Sequence, residues 1–512
     1  MPPADRGPLL LGIDLGAGSL KATLIRADGS VAGEASHVVP TLTPHPGWSE
    51  QNPADWWAAL VRAVPEAIAA AGGDAKQIAG IALSAGAHSQ VLEDADGKVI
   101  RPAIMWNDQR SRIEVQELRD RADRRILDLG YNRCSTTWTL PQLLWVKKNE
   151  PAAAARTARV YLAKDWLRAR LTGTFETDTI DALGTLMLDA RTAGWSAELC
   201  KMIEWPLDTL PPIVKPTAIV GKVTREAAAA TGLASGCPVI CGTSDTAAET
   251  YGAGMVETGL GVVKLATAAT MSVLSAKAVP NGELINYYHV VPDHWYLIAG
   301  TNSCASAHRW LRDQFFMPAD GTADGAAVFA EMDRMAASCA PGAEGLVFHP
   351  YLNGERTPYW DPLLRADFIG MTMRHRREHF VRALYEGIAF SLRDCFEVFK
   401  ANGQGFKLAR ITGGGARSAT WRQIVSDVLG IPIELPAVAD ASFGAALIAG
   451  VGAGIYPDEV TAVRKTLSVT ARHEPDAKRA TFYDSAFGIY KDAQAKLAGV
   501  NHALHALATG VG

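Results

Sequence analysis

Short apolar runs alternate along the chain with longer segments of helical spacing. Leu9–Ile13, Ala22–Ile25 and Ile78–Leu83 are short, mainly apolar runs of strand length. Between the second and third runs, Pro53–Ala71 carries its apolar residues at helical spacing and is followed by a glycine pair that ends a helix. Strands that alternate with helices are typical of α/β proteins, so the pattern predicts an α/β fold.

A similar unit recurs in the second half of the chain. Val263–Ala269 can be laid on Ile13–Ser19, and Gly414–Ser418 can be laid on Ala85–Ser89, although either match alone also fits chance. Two α/β copies leave a cleft between them, which is where ligands usually bind. Glycines cluster in Thr250–Gly259, and we place the boundary there, between residues 1–253 and residues 254–512.

Composition excludes several classes of partner. The 512 residues include 54 acids and 50 bases, which gives a net charge of -4 without a long run of one sign. A polyanion-binding surface is therefore not indicated, and we expect neither nucleic acid nor a membrane as partner. The seven scattered cysteines contain no CxxC pair, and no signal peptide is visible. Reduced thiols in a cytoplasmic protein are the expectation.

The first candidate for chemistry is Asp14 and the turn of small residues that follows it, Gly16–Ser19. Such a turn brings backbone N–H groups together without side-chain obstruction, as a phosphate cradle requires. Asp14 would lie beside those phosphates, where a carboxylate suits Mg²⁺ binding. An ordinary hairpin turn with a capping aspartate is the alternative.

The second candidate is Asp245, which follows the apolar run Pro238–Cys241 and a Gly-Thr-Ser turn. It should emerge at the carboxyl end of a strand, where functional residues of α/β sheets collect. A carboxylate held near a hydroxyl can act as a general base, and the alternative is that this aspartate is the N-cap of a helix that begins at Thr246. His88 and Trp106 follow apolar runs as well, and are either polyol-binding or structural.

The glycine-rich segment Thr412–Ser418 follows the apolar run Leu408–Ile411 and precedes a predicted helix from Trp421. Three consecutive glycines at a strand-to-helix junction allow a ligand such as adenine or its phosphates to approach the backbone closely. A tight turn without a ligand remains the alternative. Near the end of the chain, Pro475–Leu507 is predicted to be mostly helical.

These motifs, in this order, resemble the FGGY family of sugar kinases and, within it, the D-xylulose kinases. The likeness extends over about residues 9–490. It is carried by Gly12–Gly16, Trp48–Gln51, Arg101–Asp108, Leu143–Val146, Ser244-Asp245, Leu352–Pro358 and Gly413–Ser418.

The resemblance implies an α/β protein of two actin-like (ribonuclease-H-like) ATPase domains, with ATP, Mg²⁺ and a small sugar in an interdomain cleft. Residues 1–253 would bind sugar and phosphate, and residues 254–512 would bind nucleotide and end in a helix. Asp245 would be the catalytic base, and Asp14 with Asp245 would hold the metal. The sugar would contact Ala87, His88, Trp106, Asp245 and Thr246, whereas ATP would contact Gly16, Gly18, Ser19, Lys21, Ala266, Thr267, Gly414, Gly415 and Ala416.

The implied reaction is the phosphorylation of a terminal hydroxyl of a small ketose, D-xylulose to D-xylulose 5-phosphate, by a protein that many relatives suggest is a homodimer. Three departures keep other functions open. Gly86-Ala87-His88 stands where D-xylulose kinases carry Gln-Met-His, Thr246 replaces an asparagine, and Ala266–Ala269 replaces a Gly-Thr-Ser-Gly turn. The alternatives are a kinase for ribulose, a tetrulose or a pentitol, and a regulator that binds sugar or ATP without catalysis.

Overall fold

The computed structural model describes residues 7–317 and 324–510, and the chain divides into two compact units. Unit 1 runs to Val256 and also includes Ala276–Tyr296 and Val438–Ser468. Unit 2 consists of Glu257–Ser275, Leu297–Ala437 and the chain from Val469 onward. The first break lies close to the predicted boundary, but two later segments return to unit 1. The prediction of a single break did not include them. An apolar pattern shows that a segment is buried, but it does not show against which unit the segment packs.

The secondary structure alternates between strands and helices, as the apolar pattern predicts. The strands are β1 Leu9–Leu15, β2 Ser19–Arg26, β3 Val31–Val38, β4 Glu50–Gln51, β5 Ile78–Ala85, β6 Gln90–Glu93, β7 Ala103–Ile104, β8 Arg159–Leu162, β9 Thr177–Asp178, β10 Leu188–Asp189, β11 Gly194–Trp195, β12 Ile213–Val214, β13 Ile219–Lys222, β14 Pro238–Ser244, β15 Leu260–Leu265, β16 Ala269–Ser275, β17 Ile285–Tyr288, β18 Trp295–Gly300, β19 Val347–His349, β20 Asp367–Ile369, β21 Leu408–Thr412, β22 Ile433–Pro436 and β23 Val469–His473. The helices are α1 Pro53–Ala70, α2 Arg112–Gly130, α3 Thr139–Asn149, α4 Pro151–Arg156, α5 Ala163–Thr172, α6 Thr179–Leu183, α7 Ala197–Met202, α8 Arg225–Thr231, α9 Asp245–Gly252, α10 Ala305–Phe315, α11 Gly325–Ser338, α12 Arg377–Ala401, α13 Ala419–Leu429, α14 Ala441–Gly452, α15 Glu459–Thr466 and α16 Ala477–Thr509. Across the described part of the chain, none of these helices combines the length and the apolarity needed to cross a membrane.

The main sheet of unit 1 has the strand order β13-β14-β5-β1-β2-β3. Strand β1 is antiparallel to β2 and parallel to β5, and β5 is parallel to β14. The carboxyl ends of β1, β5 and β14 therefore lie at one edge of the sheet, which is where ligands of α/β proteins bind. Asp14, Gly86 and Asp245 lie at this edge, at or just after the ends of the three strands.

Helices cover both faces of this sheet. Helix α1 confirms the predicted helix, begins after the capping side chain of Asn52, and buries Trp56, Leu60 and Val64. Helix α14, in the returning segment, packs so tightly on β1 that a side chain at Gly12 would place its Cβ 1.8 Å from the carbonyl oxygen of Ser442. Glycine at position 12 is what permits this helix–strand contact.

Unit 2 repeats the same arrangement. Its sheet runs β18-β16-β15-β21-β22-β23 within a longer order. Strand β15 is antiparallel to β16 and parallel to β21, β21 is parallel to β22, and β22 is antiparallel to β23. These are the same directions, in the same order, as β1, β2, β5, β14 and β13, so the strand topology confirms the internal duplication.

Candidate active site

Strands β1, β5 and β14 bring the candidate catalytic groups of unit 1 together. Asp14 is the second-last residue of β1 and lies beside Ser84 of β5 in the parallel register. Asp245 is the first residue of α9, immediately after β14, with Ser244 at the N-cap position. Asp245 therefore lies at the carboxyl edge of the sheet, as predicted, whereas the alternative that it is the N-cap is wrong by one residue, because Ser244 takes that position.

The Asp14 carboxyl is held in a negative environment. The Ser84 hydroxyl donates to Asp14 Oδ1 at 2.8 Å. Burial raises the pKa of Asp14 to about 8, the carboxyls of Asp245, Asp440 and Glu249 contribute to the increase, and the Ser84 hydrogen bond opposes it. Burial is the main reason that this carboxyl resists ionisation and the neighbouring carboxyls add to it, so a bound cation would stabilise its ionised form.

The two carboxyl oxygens of Asp245 have different surroundings. Its Oδ1 accepts from the Thr246 backbone N–H at 2.6 Å and from the Thr246 hydroxyl at 3.2 Å. Its Oδ2 lies 4.0 Å from the point that a Cβ would occupy at Gly86, and that same point is 3.5 Å from Trp106 Cδ1. Thr246 therefore orients the carboxyl, and the absence of a side chain at position 86 keeps the space between Asp245 and Trp106 clear.

These acids fit Mg²⁺ by the chemistry of the donor set. Within residues 7–317 and 324–510, no three histidine, cysteine or acidic side chains form a closed metal cage. Mg²⁺ seldom uses such a cage and is usually bound by one or two carboxylates together with water and phosphate oxygens. Asp14 and Asp245, which interact electrostatically across the site, are the carboxylates that would hold it.

The turn between β1 and β2 has the form of a phosphate cradle. The Gly16 N–H donates to the Ser19 carbonyl at 2.9 Å and closes the turn. The Ala17 carbonyl accepts from the Gln51 side chain at 2.8 Å, and the Gly18 carbonyl accepts from the Val39 N–H at 3.0 Å. The N–H groups of Ala17 and Gly18 have no hydrogen-bond acceptor among the described residues, and both residues are exposed. The carbonyls are thus fixed from one side while the amides face solvent.

Lys21, predicted from the family to contact ATP, is engaged by two carboxylates. Its Nζ lies 2.8 Å from Asp440 Oδ2 and 2.8 Å from Glu34 Oε2. Asp440 in turn accepts from the Phe443 N–H at 2.8 Å and caps α14. Burial would raise the pKa of Asp440, but the hydrogen bonds from Lys21 and Ser442 outweigh it and the pKa is lowered. Lys21 therefore ties the first hairpin to the returning helix.

His88 is buried and has both ring nitrogens engaged. Its Nδ1 contacts the carbonyl oxygen of Gly184, and its Nε2 lies 3.1 Å from the Tyr287 hydroxyl. The Trp138 ring packs edge-on to the imidazole at 4.8 Å. Burial lowers the pKa of His88 to about 4, although the Gly184 hydrogen bond opposes the decrease, so the ring is neutral at neutral pH. Ala87 precedes it in the chain and is half-buried.

Unit 2 holds the remaining residues predicted for ATP. The carbonyls of Ala266 and Thr267, in the turn between β15 and β16, accept from the first N–H groups at the start of α10 at 2.8–3.2 Å. In the glycine-rich segment, Gly413 has φ +87° and approaches the carbonyl of Leu265, whereas Gly414 has open space on its Cβ side. Gly414–Arg417 forms a 3-10 turn in which Gly415 and Ala416 are buried.

Several site residues carry no signal that single-sequence reasoning detects. Ser84, Glu249 and Asp440 reach Asp14 from three separate elements, and Tyr287 reaches His88 from 199 positions away. The charged side chains that follow Trp106 in the sequence have a structural role. Arg110 is buried against Trp48 at 3.7 Å and pairs with Asp108 and Glu50, so it stabilises the loop.

Comparison with known proteins agrees with this geometry. Models of the N- and C-terminal domains of the FGGY family of carbohydrate kinases match residues 9–252 and 261–453. Xylulose kinase of Bacillus subtilis (strain 168) is 32% identical over 498 residues, 97% of this chain and 98% of that protein. Gluconokinase of the same organism is 28% identical over 500 residues, 94% of each chain.

A crystal structure of xylulose kinase from Rhodospirillum rubrum superposes with a TM-score of 0.89 at 31% identity and covers 96% of this chain and 100% of that one. This agreement confirms the predicted fold of two actin-like ATPase domains. The family models and the nearly full-length relative together confirm the resemblance read from the motifs. The chain belongs to the FGGY family of carbohydrate kinases and is a phosphotransferase.

Proposed function

We propose that this kinase transfers the γ-phosphoryl group of ATP to a terminal hydroxyl of D-xylulose, giving D-xylulose 5-phosphate. The observation that carries the proposal is that Asp14 and Asp245 lie at the same edge of one sheet, and that the turn between β1 and β2 exposes its backbone amides there. Relatives that match nearly the full length of this chain at 31–33% identity are named xylulose kinases, which supports this substrate. We place the reaction in the cytoplasm, where the seven unpaired cysteines stay reduced.

Asp245 acts as the general base in this proposal. Thr246 holds Oδ1, so Oδ2 is the oxygen directed toward the space beside Gly86 and Trp106. A substrate hydroxyl in that space would give its proton to Oδ2 as its oxygen attacks phosphorus. Trp106 is partly exposed at this point and can pack on the carbon face of a sugar.

The first turn and Asp14 serve the phosphates. The amides of Ala17 and Gly18 would donate to phosphate oxygens, and the hydrogen bond of the Gly16 N–H keeps the turn closed. Mg²⁺, held by Asp14 and Asp245, would offset the charge that develops on the transferred group. Ala266–Ala269, the second turn, and Gly414–Ala416 would bind the rest of ATP. Both segments have small side chains, and neighbouring backbone holds each of them in place.

A different ketose or a pentitol is the second candidate. Gly86 and Thr246 favour it, because the first leaves space beside the base and the second presents a hydroxyl where the related kinases present an amide. The retained Asp14 and Asp245 argue against a regulator without catalysis.

The proposal is tested with Asp245→Asn, which keeps the shape of the side chain and removes its basicity. We expect sugar-dependent ADP release to fall by about 10³-fold, because a positioned base contributes roughly 10²–10⁴ in rate, while ATP binding is retained. Asp96→Asn, in an exposed turn, is the matched control and should behave as wild type. Near-normal turnover in Asp245→Asn would refute the base assignment. A panel of D-xylulose, D-ribulose, a tetrulose and pentitols then identifies the substrate.

A further inference from the structure

His88 and Tyr287 have a fixed direction of hydrogen bonding. A carbonyl oxygen only accepts, so the Gly184 carbonyl requires the proton of the neutral imidazole to be on Nδ1. Nε2 is then a bare acceptor, and the Tyr287 hydroxyl, 3.1 Å away, must donate to it. With its own proton used, the phenol oxygen of Tyr287 offers only lone pairs to anything else. The pair therefore presents acceptors and no donor.

Surrounding contacts keep this arrangement in place. His88 has φ +72°, a left-handed conformation that is uncommon for residues other than glycine and that persists only where the neighbourhood holds it. Its backbone carbonyl accepts from the Thr139 hydroxyl at 2.9 Å, and Trp138 packs on its ring. Tyr287 stacks on Tyr296 with ring centroids 5.1 Å apart. Neither ring can turn to exchange donor for acceptor without breaking these contacts.

Carboxyl groups lie near this acceptor pair. Burial raises the pKa of the Tyr287 phenol, and the carboxyls of Asp181 and Asp245 are the next causes of the increase. Lys164 Nζ lies 3.1 Å from Asp181 Oδ2 and offsets the charge of that carboxyl. An anionic ligand group at Tyr287 would therefore meet acceptor atoms and no donor of the pair, whereas a hydroxyl would donate to the acceptor and remain neutral.

We infer that Tyr287, together with His88, is a specificity-determining residue that accepts a hydrogen bond from a substrate hydroxyl, and that the site therefore takes neutral polyhydroxy compounds and rejects sugar acids. This inference rests on the proposed function for the location of the sugar beside Asp245. It separates the chain from the gluconokinase relative by chemistry, because a carboxylate at this position has no proton to donate. It holds whether the substrate hydroxyl bonds to the phenol oxygen or replaces the phenol at Nε2, since both atoms accept.

The test measures binding by calorimetry without ATP, so that it does not depend on turnover. The proteins are wild type, Tyr287→Phe and Tyr288→Phe. Tyr288 is the neighbour on the opposite face of β17, and its hydroxyl donates to the Ala190 carbonyl at 2.7 Å, away from His88. The ligands are D-xylulose, D-arabinitol, their monodeoxy analogues, D-xylonate and D-gluconate. Unchanged thermal unfolding midpoints establish that both variants are folded.

For wild type we expect the neutral compounds to bind at least about 100-fold more tightly than the acids, because an unpaired buried charge costs more than one hydrogen bond. Tyr287→Phe should weaken binding of the neutral parent about tenfold, and Tyr288→Phe should leave it unchanged. One deoxy analogue should bind equally to wild type and to Tyr287→Phe, since it lacks the hydroxyl that the phenol contacts.

Equal binding of acids and neutral compounds would overturn the inference, as would a uniform loss across every analogue in Tyr287→Phe. The inference would also be wrong if none of the neutral compounds bound to wild type. Failure of the proposed function has a different outcome, in which neutral compounds bind in the expected pattern but Asp245→Asn does not slow phosphorylation.

Discussion

Two hairpins carry the proposed phosphate turns, β1–β2 in unit 1 and β15–β16 in unit 2. They share one backbone arrangement but carry opposite charges at one register position. Three residues separate the strands of each hairpin, Gly16–Gly18 between β1 and β2 and Ala266–Ala268 between β15 and β16. Asp14 stands one residue before the end of β1, and Lys264 stands at the same place in β15. The parallel neighbours correspond too, since Asp14 lies beside Ser84 and Lys264 lies beside Thr412.

We propose that this difference lets the two copies of a duplicated fold take different parts in one reaction. A carboxylate at this register position suits a cation, and an ammonium at the same position suits phosphate oxygens. The backbone that presents them is equivalent, so one substitution at one register position separates the two roles. The strand topology supplies the position and the side chain supplies the chemistry.

The largest effect that this comparison predicts is for Asp14→Asn against Lys264→Met. Asp14→Asn should lower kcat by about 10²–10³-fold and raise the Mg²⁺ concentration needed for half-maximal rate, because it removes a charge that offsets the metal. Lys264→Met should act mainly on the KM for ATP, by about tenfold. Steady-state kinetics over a Mg²⁺ and ATP grid checks both. If both variants changed the Mg²⁺ requirement equally, the division of roles would be wrong.

The next effect concerns the packing beneath each hairpin. Gly12→Ala puts a Cβ 1.8 Å from the backbone carbonyl oxygen of Ser442, whereas Gly261→Ala puts one 2.7 Å from the Phe406 ring. A ring can move and a helix backbone cannot, so we expect Gly12→Ala to destabilise unit 1 by about 3 kcal/mol and Gly261→Ala to destabilise unit 2 by about 1–2 kcal/mol. Urea unfolding followed by tryptophan fluorescence compares them, and the reverse order of effects would contradict the structure.

The smallest effect separates the two parallel neighbours. The Ser84 hydrogen bond lowers the pKa of Asp14, so Ser84→Ala should raise that pKa further. If catalysis needs the ionised carboxylate, the acidic limb of the pH–rate profile moves to higher pH by about 0.5–1 unit, the equivalent of one hydrogen bond. Activity should therefore fall at pH 6–7 and be nearly unchanged at pH 9. Thr412→Val in unit 2 is the matched control, and a shift of the same size there would remove Asp14 as the cause.

Local patterns in the sequence account well for the elements that carry the site. The apolar spacing of Leu9–Ile13 predicts a strand and that of Pro53–Ala71 predicts a helix. Burial of one face of an element sets the spacing of apolar residues within that segment alone. The predicted position of Asp245 at a strand end is also observed, since β14 ends at Ser244. Asp14 and Asp245 lie at the same sheet edge because β1, β5 and β14 are parallel.

Partners that come from distant parts of the chain could not be predicted in this way. Lys21 pairs with Asp440, 419 positions away, and no local period records such a pair. Arg110 shows the same limit, because its buried ion pairs with Asp108 and Glu50 join separate segments and leave no local period in the sequence. The family resemblance supplied roles for Asp14 and Asp245, and it did not indicate Tyr287.

The return of Val438–Ser468 to unit 1 has a consequence for biosynthesis. Strand β1 leaves the ribosome first, yet α14, the helix that packs against Gly12, follows more than 400 residues later. At roughly 5–20 residues per second, the nascent chain carries an incompletely covered sheet for tens of seconds. A fragment that ends at the predicted boundary would keep that face exposed indefinitely, so chaperone occupancy during translation should persist until the residues near 450 have emerged.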